Sequence, residues 1–128
     1  FYNHTTPHPI LSGLVGSEMC IRDRIMPNTD IGSFNIQKYL PGGHFKLPHS
    51  ERTSIQNSFR ILAWMSYLND VEDGGTTTFT QQNMEVTPEK GKTMIWPAEW
   101  THAHTGNLVN AGEKYIITGW MHFPHEVR

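Results

Sequence analysis

From residue 34 onward, turn-forming residues divide the sequence into short apolar runs. Pro41-Gly42-Gly43 closes the first run, and Pro88 and Pro97 close later ones. Pro and Gly at this spacing interrupt helices but suit the turns between strands. Runs typical of strands lie at 34–40, 44–49, 59–68, 76–80, 85–87, 92–96, 101–104 and 114–123. We therefore predict an all-β core of seven or eight strands, as in a sandwich, barrel or jelly roll.

Two of these runs carry further expectations. The run at 59–68 also suits a buried helix, but the Glu-Asp-Gly-Gly turn that follows it favours a strand. In the run at 34–40, alternate residues point to opposite faces of a strand. One face would then carry Phe34, Ile36 and Lys38, and the other Asn35, Gln37 and Tyr39.

Composition excludes several classes of protein. The 128 residues suffice for one domain, and a net charge of -2 argues against binding nucleic acid through bulk charge. No stretch approaches the roughly 20 apolar residues that cross a bilayer. A single cysteine, Cys20, allows neither an intrachain disulfide nor a thiolate zinc cluster. We expect no membrane or nucleic-acid partner, and nothing in the sequence predicts the oligomeric state.

Residues 1–24 differ in character from the rest. The chain begins with Phe1, as a fragment would, and residues 10–21 lack the basic flank of a signal peptide. The string LVGSEMCIRDR resembles translated adapter sequence that recurs in environmental assemblies. We therefore expect residues 1–24 to be a sequencing artefact and residues 25–128 to be the domain. The alternative is an ordinary N-terminal strand or helix.

Two histidine motifs suggest a metal site. In His49-Ser50-Glu51, an extended chain would place the imidazole and the carboxylate on the same side. In His102-Ala103-His104, either imidazole could supply a further ligand. Two histidines and one carboxylate form a facial triad that leaves positions open on iron(II). Taken singly, however, each motif is also common on protein surfaces.

Lys114 lies ten residues after His104, at the start of the last predicted strand. A cation deep in a pocket is what an enzyme needs to pair with the far carboxylate of 2-oxoglutarate. A solvated lysine at a strand start is the alternative.

Five segments together resemble one family. They are YLPGGHFKLPHSE (39–51), RILAWMSYLND (60–70), GGTTTF (74–79), VTPEKGKTMIWP (86–97) and HTGNLVNAGEKYIITGW (104–120). In order and spacing they resemble the prolyl-4-hydroxylase-like branch of the iron(II)/2-oxoglutarate-dependent oxygenases. The resemblance implies a double-stranded β-helix, or jelly roll. It also implies that part of the N-terminal helical and strand support of such domains is missing here.

The resemblance also implies residue roles. His49, Glu51 and His104 would bind the metal, with His102 as the alternative ligand. The residues matching cosubstrate and pocket positions are Lys114 and Tyr67, for the C5 carboxylate of 2-oxoglutarate, and Tyr39, Thr118 and Trp120. Gly74 and Gly75 would form a tight turn.

The chain departs from the family pattern at two positions. Glu51 stands where Asp is usual, and Thr76 stands where Glu is usual. Arg60 matches a recurrent arginine, for which the residues suggest only a structural ion pair.

The expected function is hydroxylation of an unactivated C–H bond with Fe(II), 2-oxoglutarate and O₂, with ascorbate as an auxiliary. The substrate would be peptidyl proline or another amino-acyl group, or a small molecule, and the location cytoplasmic. Two alternatives are a cupin-type metalloenzyme that does not use 2-oxoglutarate and a non-catalytic or truncated metal-binding jelly roll. The spacing of Lys114 argues against the first, and the intact triad against the second.

Overall fold

The computed structural model describes residues 29–124, and these form antiparallel β-structure. The strands are β1 (Asp30–Tyr39), β2 (Phe45–His49), β3 (Arg60–Tyr67), β4 (Asp73–Gly74), β5 (Thr77–Phe79), β6 (Met84–Val86), β7 (Thr93–Pro97), β8 (His104–Gly106), β9 (Val109–Ala111) and β10 (Lys114–His122). Two single 3₁₀ turns, Ile55–Asn57 and Trp100–His102, are the helical elements of this part of the chain. The predicted all-β core is confirmed, but residues 29–124 contain ten strands instead of seven or eight, because the short strands β4 and β9 give no apolar run in the sequence.

The strands form two four-stranded sheets and a small ribbon. The major sheet has the order β1-β10-β3-β7, the minor sheet has the order β2-β8-β5-β6, and β4 pairs with β9. All the pairings are antiparallel. Because β10 lies between β1 and β3, it joins the N-terminal strand of the described residues to the rest of the major sheet.

The core lies between the two sheets. Alternation along β3 turns Ala63, Met65 and Tyr67 inward, as expected for a strand with one buried face. The remaining members of the buried apolar cluster are Phe79, Trp96 and Ile116. The rings of Phe79 and Trp96 meet edge to face at 5.3 Å, a favourable aromatic geometry.

In β1 the face that carries Asn35, Gln37 and Tyr39 is turned inward. Asn35, Gln37 and Tyr39 line the space between the sheets, whereas Phe34 and Ile36 are exposed on the outer surface. The predicted division of this strand into two faces is therefore confirmed. Its polar face belongs to the cavity, and so this strand supplies hydrogen-bonding groups to the interior.

The predicted strand at 59–68 is confirmed, since β3 occupies most of it. The prediction that residues 101–104 are extended is wrong for Thr101 and His102, whereas Ala103 has extended backbone angles and His104 begins a strand. Trp100–His102 forms a 3₁₀ turn in which the His102 amide donates to the Glu99 carbonyl at 3.0 Å, and β8 begins only at His104. The prediction for residues 1–24 lies outside the described residues.

Gly74 ends β4 and Gly75 follows it, so in place of the predicted tight turn this pair joins β4 to the segment before β5. Their φ angles are 78° and 67°, a backbone region that favours glycine. A Cβ added to Gly74 would overlap the carbonyl oxygen of Leu108, whereas one added to Gly91, which has a φ of 84°, would meet no atom within 4 Å. The two positions thus share a backbone conformation but differ in available space.

We expect Gly91→Ala to lower the free energy of unfolding by about 1–2 kcal/mol, the cost of a left-handed backbone alone. Gly74→Ala should cost more, about 3 kcal/mol or above, because backbone must also move. Urea denaturation of both variants measures the difference. Equal losses would show that the contact with Leu108 does not constrain the backbone at Gly74.

Candidate active site

The pairing of β2 with β8 brings two remote histidines together. His49 and His104 are register partners, and their ring centroids lie 4.3 Å apart. Glu51 follows just after the end of β2, where the chain bends. One ligand atom from each of these three residues lies within 4.8 Å of the other two. In residues 29–124 this is the group of acidic and histidine side chains that comes close enough to hold a metal ion.

Backbone carbonyls set the tautomer of both imidazoles. His49 Nδ1 lies 3.1 Å from the Leu47 carbonyl, and His104 Nδ1 lies 3.0 Å from the His102 carbonyl. A carbonyl only accepts, so each Nδ1 carries the proton and donates it. In a neutral ring, a proton on Nδ1 leaves Nε2 with a lone pair, the usual arrangement when a second hydrogen bond orients a metal-binding histidine.

The carboxylate of Glu51 faces both of these nitrogens. Its Oε1 lies 3.4 Å from His104 Nε2 and 3.7 Å from His49 Nε2. Its Oε2 accepts a hydrogen bond from Trp120 Nε1 at 2.7 Å. Two nitrogens and one carboxylate oxygen therefore converge, a donor set that suits a divalent transition metal.

The protonation states of Glu51 and His49 also favour the binding of a metal ion. Burial alone would raise the pKa of Glu51, but contacts with His104 and Trp120 outweigh burial and lower it below its usual value. Burial and the neighbouring His104 lower the pKa of His49. At neutral pH the group therefore presents an ionised carboxylate and a neutral imidazole, both in the form that binds metal.

His102 does not join this cluster. Its Nδ1 contacts the hydroxyl of Thr101 at 3.0 Å, and the 3₁₀ turn removes it from the strand that carries His104. Only its backbone carbonyl contributes, by accepting from His104 Nδ1. The expected His-x-His pair on one face of a strand is therefore not present.

A cavity of about 210 Å³ opens beside the triad, between the two sheets. Besides His49, Glu51 and His104, its lining contains four side chains singled out from the sequence: Tyr39, Lys114, Thr118 and Trp120. The other residues of the lining are Asn35, Gln37, Phe45, Met65, Thr77, Trp96, Gly106 and Ile116.

Lys114 is a buried cation. Its residue surface is 3% exposed, and its Nζ donates to the Gly75 carbonyl at 2.7 Å. The rings of Tyr39 and Tyr67 lie 5.4 Å and 5.6 Å away, and within residues 29–124 no carboxylate pairs with it. Burial lowers the pKa of Lys114 from 10.5 to about 8. A positive charge buried in this way is costly unless an anion joins it.

Tyr67 lies behind the cavity wall, although the resemblance to the family assigned it to the C5 carboxylate of 2-oxoglutarate. It is buried and absent from the cavity lining, and its hydroxyl is 2.8 Å from the Thr77 hydroxyl, which does line the cavity. Tyr39 donates to Gln37 Oε1 at 2.6 Å, and Thr118 donates to the Trp64 carbonyl at 2.9 Å. Burial raises the pKa of both phenols, so both stay neutral at pH 7.

Sequence reasoning missed Thr77, Asn35 and Gln37 as cavity residues. The alternation along 34–40 already placed Asn35 and Gln37 on the face of Tyr39, so their position was open to inference. Thr77 had no comparable signal, because the three-residue strand β5 is too short to show a pattern.

The comparisons with known proteins all indicate the same family. Residues 34–122 match the family model described as the 2OG-Fe(II) oxygenase superfamily. A protein of Arabidopsis thaliana named "Probable prolyl 4-hydroxylase 9" is 28% identical over 78% of this chain and 44% of its own length. The human prolyl 4-hydroxylase subunit alpha-1 is 30% identical over 68% of this chain and 19% of its own length. The chain thus spans less than half of these relatives.

The fold has solved counterparts. The 2OG complex of a viral collagen prolyl hydroxylase from Paramecium Bursaria Chlorella virus-1 superposes with a TM-score of 0.64, at 19% identity, covering 94% of this chain and 75% of that one. This likeness confirms the predicted double-stranded β-helix. No helix in residues 29–124 has the length and apolar character needed to cross a membrane.

The buried charge of Lys114 predicts a stability effect. Its pKa is lower in the folded state, so the unfolded state holds more protons between about pH 8 and 10.5, and stability rises with pH in that window. At pH 7 the cost is fully present. We therefore expect Lys114→Met to raise the free energy of unfolding of the metal-free protein by about 2 kcal/mol, after allowing for the lost bond to Gly75.

Urea denaturation with a chelator at pH 7 and pH 9.5 measures this effect. The difference between Lys114→Met and the wild type should shrink at the higher pH. A variant that is less stable at pH 7, or a difference independent of pH, would contradict the account.

Proposed function

The chain belongs to the 2OG-Fe(II) oxygenase superfamily, and we propose that it is an iron(II)- and 2-oxoglutarate-dependent dioxygenase that hydroxylates an unactivated C–H bond. One observation carries this proposal. The His49, Glu51 and His104 ligand atoms converge on the same cavity that contains the buried Lys114 cation. A metal site and an anion site in one small cavity are what the joint binding of iron(II) and a dicarboxylate requires.

His49, Glu51 and His104 would hold the iron. Three protein ligands leave further coordination positions open for a bidentate cosubstrate and for oxygen. Iron held there would activate O₂, the oxidant: one oxygen atom would enter the substrate C–H bond and the other would enter succinate, as 2-oxoglutarate loses CO₂. The chain's own residues would bind and orient the cosubstrate and the substrate, and they would exclude water from the cavity.

Lys114 would bind the far carboxylate of 2-oxoglutarate. A charge-assisted bond in a buried site is stronger than a neutral one, and it would satisfy a cation that has no charged partner among residues 29–124. The hydroxyl of Thr77 lines the same cavity and is itself held by Tyr67. We assign Tyr67 to orienting Thr77, and Tyr39, Thr118 and Trp120 to the cavity wall.

For the substrate we favour peptidyl proline or another amino-acyl group. The support is that the named relatives are prolyl 4-hydroxylases, while this chain spans only part of their length. We place the reaction in the cytoplasm, where both iron(II) and 2-oxoglutarate are available.

The proposal predicts a spectroscopic signal. Anaerobic addition of Fe(II) and then of 2-oxoglutarate should produce the weak visible charge-transfer band of the chelate. Lys114→Met should require about 10–100-fold more 2-oxoglutarate to reach the same band, because a charged hydrogen bond contributes about 1.5–3 kcal/mol. Folded protein that gives no band would contradict the oxygenase proposal and favour a metalloenzyme that does not use 2-oxoglutarate.

The ligand assignment has a matched pair of variants. His104→Ala should abolish high-affinity Mn(II) binding, measured by electron paramagnetic resonance, and also succinate release. His102→Ala should preserve both, because the backbone carbonyl that orients His104 remains. Loss of binding in His102→Ala with retention in His104→Ala would reverse the assignment.

A further inference from the structure

Glu51 places special demands on the metal site. Glutamate has one more methylene than the aspartate usual in the family that this sequence resembles, and therefore one more rotatable bond. A longer side chain loses more conformational freedom when its carboxylate is fixed. Two oxygens that rotate freely would also compete for the same ion. Other side chains that fix the orientation of the Glu51 carboxylate would therefore strengthen metal binding.

Trp120 holds one of the two oxygens. Its indole Nε1 donates to Glu51 Oε2 at 2.7 Å, across 69 positions of sequence. The other oxygen, Oε1, is the one that faces the histidine nitrogens. Because one oxygen is occupied by a donor, the carboxylate is left with a single oxygen directed at the metal position.

Arg60 holds both Trp120 and Glu51. Its guanidinium carbon lies 3.7 Å from the centroid of the Trp120 ring, a stacked cation–π arrangement. Its Nη1 donates to the Glu51 carbonyl at 3.2 Å and lies 3.8 Å from Glu51 Oε2. The guanidinium therefore contacts the backbone, the carboxylate and the indole at once.

Packing alone does not explain these contacts. Trp64 and Trp96 also bury their indole nitrogens, and both nitrogens lack a hydrogen-bond partner in the described structure. An indole nitrogen in this protein can thus be buried with no acceptor, yet that of Trp120 is aimed at Glu51. Similarly, Arg60 Nε is buried with no hydrogen-bond partner among residues 29–124, so this nitrogen does not set the position of the guanidinium.

We propose that Trp120 and Arg60 are positioning residues that fix the longer carboxylate of Glu51, so that it ligates the metal through Oε1 alone. This inference rests on the proposed function. It assigns Arg60 a role beyond an ion pair, and it assigns Trp120 one beyond the cavity wall.

The test measures metal affinity rather than turnover. Co(II), a redox-stable ion, is titrated into the full chain by calorimetry, with its visible absorption recorded. Trp120→Phe should weaken Co(II) binding about 10–100-fold, the usual loss when an outer partner of a ligand is removed. Trp64→Phe, which removes an indole nitrogen with no acceptor, should leave the affinity unchanged. Arg60→Lys keeps the charge but loses the planar stacking, and should weaken binding by roughly tenfold.

A double-mutant cycle separates positioning from general loss of structure. In a Glu51→Ala background, Trp120→Phe should change Co(II) affinity by less than about twofold, because its target is gone. A loss of the same size in both backgrounds would overturn the inference, as would equal affinities of Trp120→Phe and the wild type. Failure of the wild type itself to bind Co(II) would overturn the proposed function and this inference together.

Discussion

The antiparallel pairing of β2 with β8 is the constraint on which the rest of the site depends. It places His49 directly opposite His104, although the two lie far apart in sequence. Side chains alternate between faces along a strand, so a slip of one residue would turn one of these rings away from the cavity. The carbonyls of Leu47, in β2, and of His102, in the turn before β8, then orient the two rings through their Nδ1 atoms. Local hydrogen bonds and the register between the strands thus both position the Nε2 atoms of His49 and His104.

The cavity shows how stability and ligand binding oppose each other in this small domain. Lys114 is buried beside two tyrosine rings, and in the described part of the chain its Nζ donates to one backbone carbonyl, that of Gly75. The ligand-free protein therefore carries a desolvated charge that an apolar residue would avoid. The carboxylate of a bound dicarboxylate would pair with this charge. The unfavourable free energy of the unpaired Lys114 in the ligand-free protein would then favour binding. Strain of this kind is common at functional sites and is offset by packing elsewhere, here by the cluster around Phe79 and Trp96.

Sequence reasoning predicted those features that repeat along the chain or lie close together in it. The alternation at 34–40 predicted both faces of β1, and turn residues predicted the all-β fold. It failed where local hydrogen bonds override the pattern: the 3₁₀ turn at Trp100–His102 displaces His102 from its expected strand. It also could not connect Trp120 to Glu51, because their contact depends on how β10 packs near the end of β2. Such contacts depend on how the two sheets pack, and no regular spacing of residues in the sequence indicates them.

The central claim is that His49, Glu51 and His104 hold one divalent ion. Anomalous diffraction from crystals grown with Mn(II) tests it most directly. The account predicts one strong peak within bonding distance of His49 Nε2, His104 Nε2 and a single oxygen of Glu51. A peak bonded to His102, or a fully formed crystal with no peak at the three residues, would contradict it.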